Sequence, residues 1–85
     1  MKHLCWVPDY EDEDNAIEIE AMDAEGSAED ACERWEENGR WAGDPMPSRI
    51  YVRVRDDEGA LFDVVVGVDY SIDFYSIRSA KVIER

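Results

Sequence analysis

Residues 50–70, IYVRVRDDEGALFDVVVGVDY, decide the fold of this chain. Ile50, Val52 and Val54 alternate with Tyr51, Arg53 and Arg55, the period of a strand with one face buried. Asp57-Glu58-Gly59 then interrupts the run, so residues 50–56 and 60–70 read as two arms of a hairpin. A three-residue loop ending in a left-handed Gly59 pairs Asp56 with Ala60. That register sets Val54 across from Phe62, Val52 from Val64 and Ile50 from Val66, all on one face. The other face receives Arg53 opposite Asp63 and Tyr51 opposite Val65, both favourable cross-strand pairs. A two-residue loop would scramble the two faces.

Working outward, Gly43, Pro45 and Pro47 mark a connection upstream of the hairpin. Before it, Ala28, Ala31, Cys32 and Trp35 form one apolar stripe at helical spacing, with Glu29, Glu33, Glu36 and Glu37 on the opposite arc. Ser27 reads as the N-cap, reciprocated by Asp30, and Gly39 as the left-handed stop. With two alanines in its seam and only three to four turns, the helix depends on packing Trp35 against a sheet. Ile17, Ile19 and Ala21 alternate strictly with Glu18 and Glu20, a half-buried strand. Residues 9–15 are a carboxylate run expected to form a solvated loop. Residues 2–7 form a short strand, with Leu4 and Trp6 on one side, ended by Pro8. Downstream, β-branched and aromatic residues predict a last strand within Ile72 to Ile83. The result is a single α+β domain spanning residues 1–85, ordered strand, strand, helix, strand, strand, strand. One helix packs on a four- to five-stranded, mainly antiparallel sheet.

At 85 residues, the chain buries only about 60 to 65% of the surface it exposes when unfolded. Apolar residues make up 45% and include three tryptophans, enough for a core. The start, MKHLCWVP, has no long apolar stretch, so neither a signal peptide nor a membrane span is expected, and a cytoplasmic protein is. Cys5 and Cys32 are widely spaced in apolar surroundings, which predicts packed, reduced thiols.

Charge is distributed unevenly. Residues 1–47 carry 15 Asp and Glu against 3 Lys and Arg, whereas residues 48–85 carry 7 against 6. One-sided charge repels itself and costs stability, so the asymmetry points to a surface built to meet something positive. A merely solvated acidic face accounts for high charge but not for the balanced second half. Read as a calcium loop from Asp9, the run has Asp14 where a Gly is required, and no helix flanks it. His3, Cys5 and Cys32 are too few soft donors for a tetrahedral metal site, and the single His is expected on the surface. No pair of carboxylates stands out for acid-base work and the cysteines read as inert, so no enzyme, metal or cofactor is expected.

The binding reading rests on three groups of residues. The loop supplies Asp9, Tyr10, Glu11, Asp12, Glu13 and Asp14; the strand supplies Glu18 and Glu20; the helix supplies Glu29, Glu33, Glu36 and Glu37. Glu18 and Glu20 stand roughly 6.7 Å apart along a strand, about the rise of two nucleotides in one DNA strand. Such a rod of charge would recruit the Lys and Arg that ordinarily hold phosphates, with Tyr10 and Trp41 as aromatic anchors.

The stretch CWVPDYEDEDNAIEIEAMDAEGSAEDACERW followed by IYVRVRDDEGALFDVVV resembles small acidic proteins encoded by bacteriophages, and within that group anti-CRISPR proteins acting on type I systems. The resemblance implies an inhibitor in the cytoplasm of an infected bacterium. It would dock on the basic DNA-binding surface of a CRISPR effector complex and keep target DNA out, without binding nucleic acid itself. The alternative is an antitoxin-like or assembly protein whose basic partner is unrelated to DNA. A homodimer through the outer face of the hairpin, at Tyr51, Leu61 and Val65, belongs to that alternative.

Overall fold

Asp23 starts the only α-helix among the described residues, and its carboxylate shows why: Oδ1 accepts the Gly26 amide at 2.7 Å. The cap lies four residues upstream of Ser27, which is instead buried inside the helix. Ser27 cannot cap because its own amide already donates to the Asp23 carbonyl as part of the first turn. The computed structural model describes residues 1–41, 47–69 and 73–83. Gly43 and Pro45 of the expected connection, Tyr70 at the end of the hairpin and Ile72 at the start of the last strand lie outside them.

The elements are β1 (Lys2–Trp6), β2 (Ile17–Glu20), α1 (Ala24–Glu37), β3 (Arg49–Arg55), β4 (Leu61–Val68) and β5 (Phe74–Val82), with a 3-10 turn at Glu13–Asn15. The strands form one antiparallel sheet in the order β2-β1-β3-β4-β5. This is the α+β architecture the sequence leads to. The hairpin register agrees pair by pair, from Ile50 opposite Val66 to Val54 opposite Phe62. Gly59 takes a φ of 90°, and the Asp56 carboxylate accepts the amides of Glu58 and Ala60 to hold the turn. At the other end of α1, Gly39 (φ 78°) donates to the Glu36 carbonyl and Arg40 to that of Trp35, a Schellman stop.

Ala28, Ala31, Cys32 and Trp35 lie against Cys5, Ile19, Ile50, Val52, Val54, Val64 and Val66 in one core. The small side chains let the helix axis close on the sheet, and Trp35 fills the remaining space. Truncating it to alanine would cost about 3–5 kcal/mol. Glu29 ties the helix to β5 by accepting the Ser76 hydroxyl at 2.6 Å and the Ser76 amide at 3.2 Å.

One expectation fails on β1. His3 is not a surface residue: it pairs with Ile19, faces α1 and is 2% exposed, with Nδ1 lacking a partner among the described residues. Pairing of β1 between β2 and β3 aligns His3 and Cys5 with the buried rows, leaving Leu4 and Trp6 together on the opposite face as expected. In β5 the pairing slips between Val65, opposite Arg78, and Val66, opposite Ser76, so Ile77 bulges. The irregular period of the C-terminal stretch is this bulge.

α1 covers one face; on the other, Glu13 of the 3-10 turn reaches Arg55 and Trp6 is only 5% exposed, so the β1 side is covered and the β3 to β5 side is left open. There Tyr51, Arg53, Asp63 and Val65 sit at the centre, with Tyr75 laid across Gly67.

Candidate anionic binding face

The expected acidic residues fall into three environments, which the fold does not merge into one rod. In the loop, Glu11 and Glu13 are neutralised within the molecule. Glu11 pairs with Arg40 at 2.6 Å and accepts the Val7 amide through its other oxygen. Glu13 receives the Arg55 guanidinium at 2.7 and 3.1 Å. Asp9, Asp12 and Asp14 remain exposed, as does Tyr10 at 73%. Trp41 is half-buried against the core and beside the Phe74 ring, centroids 6.4 Å apart, so it serves packing more than contact. On β2, Glu18 pairs with Lys2 at 3.3 Å on the open sheet face, and both groups are well exposed. Glu20 has no ion pair among the described residues.

The helix is where charge gathers. Glu25, Glu29, Glu33 and Glu37 follow one another at i, i+4, so three successive neighbouring pairs carry like charge. Asp30, Glu33 and Glu37 share a shallow recess with Glu20 on the β2 side. On the β5 side, Glu29, Asp30, Glu33, Glu36 and Glu37 share another with Asp73. Among the described residues Arg34 is the one cation bordering either recess, and its guanidinium donates to the Glu18 carbonyl at 3.4 Å. An anionic band therefore runs from the β2 edge over α1 to the start of β5.

Asp30 and Asp73 belong to this band, yet the sequence reading did not place them there. With the helix capped by Asp23 and not Ser27, Asp30 is free of any capping role and is exposed beside Glu33 and Glu37. Asp73 is brought in only by the pairing of β5, which no local pattern reveals.

The two thiols offer no competing chemistry. Burial, the larger cause in each case, pushes Cys5 and Cys32 up to about 12, so both are protonated and unreactive at neutral pH. Both are free, and the Cys5 thiol points at the Ser27 carbonyl at 3.7 Å. Among the described residues no three His, Cys, Asp or Glu side chains are grouped to hold a metal ion. No helix among them is long and apolar enough to cross a membrane.

No family model, curated protein or solved structure matches the chain. The class is thus defined by architecture and surface alone: a small α+β protein whose single described helix presents an anionic band.

Proposed function

We propose that this protein is a non-enzymatic inhibitor that lays its anionic helix face into a cationic nucleic-acid-binding groove and excludes the nucleic acid. The effector complex of a type I CRISPR system is the target that the resemblance to anti-CRISPR proteins suggests. One observation carries the reading. The run of glutamates at i, i+4 costs the isolated helix about 0.2–0.5 kcal/mol per like-charged pair, and Glu20, Asp30 and Asp73 add to the repulsion instead of relieving it. A fold under no demand for this surface would scatter cations through it, as the balanced C-terminal half does, chiefly with arginines. Against a groove of Lys and Arg the same repulsion becomes attraction, with fast and salt-sensitive association. The working surface is α1 with Glu20 and Asp73; Glu11 and Glu13 serve the fold.

Displacement of labelled duplex DNA from a purified type I surveillance complex tests this. The wild-type chain is expected to displace the duplex, increasingly as salt is lowered, and D30K/E33K/E37K to lose at least tenfold in potency. Glu58→Lys, on the hairpin turn away from the band, controls for charge alone and should stay near wild type. A chain that binds the complex equally well in excess DNA, or a triple variant as potent as wild type, overturns the proposal.

A further inference from the structure

The sheet face opposite α1 carries a second surface, independent of the anionic band. Across it runs a groove of about 670 Å³ bordered by Asp9, Tyr51, Arg53, Asp63, Val65 and Arg78. Tyr51 and Tyr75 are 50% and 49% exposed there. Arg49 and Arg78 are exposed and have no ion pair among the described residues. Two half-exposed tyrosines, with arginines that have no ion pair among the described residues, make the β3 to β5 part of this face a surface suited to an occupant.

We infer that the occupant is a second copy of this chain, stacked face to face. The argument is charge complementarity under a two-fold axis. Tyr51, Val65 and Arg78 lie in one row across β3, β4 and β5. Trp6 pairs with Arg53, so two residues later the chain at Pro8 and Asp9 reaches the level of Tyr51, and both border the groove. Asp9 therefore marks the β1 side of that row and Arg78 the β5 side. A two-fold parallel to the strands, between β3 and β4, keeps each residue's level and exchanges the sides. It brings Asp9 of each copy to Arg78 of the other, sets Tyr51 over the second copy's Val65, and sets Arg53 over the second copy's Asp63. Aligned sheets pack about 10 Å apart, a gap that tyrosine and arginine side chains from both copies fill. The contact is isologous and closes at two chains. Single-stranded nucleic acid is the less suited occupant, because Asp9 and Asp63 stand in the same groove and would face its phosphates, whereas a second copy meets them with Arg78 and Arg53.

Such a dimer turns both α1 faces outward, so it is compatible with the proposed inhibition but does not depend on it. Sedimentation equilibrium over a concentration series tests the inference. Wild type is expected to reach twice the 9.8 kDa chain mass at micromolar concentration. Arg78→Asp and Asp9→Arg should each weaken association about tenfold or more, and D9R/R78D should restore it, since the swap rebuilds the pair. Both positions are exposed in the single chain, and circular dichroism confirms folding of each variant. Wild type that stays monomeric to millimolar concentration overturns the inference. So does a double variant no better than the singles, or a monomer that binds an oligonucleotide through this face.

Discussion

Glu11 and Arg40, 29 positions apart in the chain, meet at 2.6 Å, and the same guanidinium lies 4.5 Å over the ring of Trp35. Both charges are largely withdrawn from water, so removing one strands the other. Glu11→Ala is expected to lower unfolding free energy by about 2 kcal/mol. Arg40→Ala should do at least as much, because it also uncovers Trp35. A double-mutant cycle by urea denaturation would show coupling of about 1 kcal/mol or more.

The two ends of the Asp23–Ser27 turn carry opposite expectations. Asp23→Ala removes the carboxylate that caps the helix and should cost about 1 kcal/mol. Ser27→Ala removes a buried hydroxyl that has no hydrogen-bond partner among the described residues and adds a better helix former. It should therefore stabilise by about 1 kcal/mol. Were Ser27 the cap, the sign at that position would reverse, and thermal melts of the two variants distinguish the cases.

The buried thiols predict a loss of stability in alkali. In the unfolded chain they ionise near 9.0, whereas in the folded protein both hold their protons up to about 12. The folded state thus binds more protons between these values, so stability is intact below about pH 9 and falls as pH rises toward 12. At pH 10 the two thiols together account for roughly 2–3 kcal/mol. Urea midpoints at pH 7.5 and 10, compared with those of C5A/C32A, measure the contribution of the thiols themselves. A thiol reagent at neutral pH should react at the rate of unfolding.

Gly67 leaves the space that the Tyr75 ring occupies. A Cβ at position 67 would stand 2.5 Å from the ring, against atoms at the far end of a side chain that can swing away. Gly67→Ala is therefore expected to change stability by less than about 1 kcal/mol, while moving Tyr75 off the sheet. Its ring resonances should shift strongly in two-dimensional spectra as the Val64 and Val66 methyl signals stay in place.

Local pattern reached far into this fold. The alternation of Ile50 to Val54 and the left-handed Gly59 contain the hairpin register, because a period of two admits only even shifts and the three-residue loop ending at Gly59 selects one of them. His3 could not be placed in that way. Alternation along β1 distinguishes two faces but not which one meets the helix, and that depends on β1 inserting between β2 and β3. The helix start was missed because Ser and Asp both cap well, and Gly26 in the first turn argues weakly against an early start. For the candidate site, counting carboxylates located the helix glutamates, since they need only a 3.6-residue period. It could not foresee that Glu11 and Glu13 would be claimed by Arg40 and Arg55, partners distant in sequence.

The rims of the sheet have a consequence of their own. β2 is four residues long and bears Glu18 and Glu20, while β5 is broken by the bulge at Ile77. Neither rim offers a long, flat ladder of free amides and carbonyls for a stray strand to zip onto. A chain so rich in valine would otherwise be prone to growing into fibres; here its sides are closed to that polymerisation.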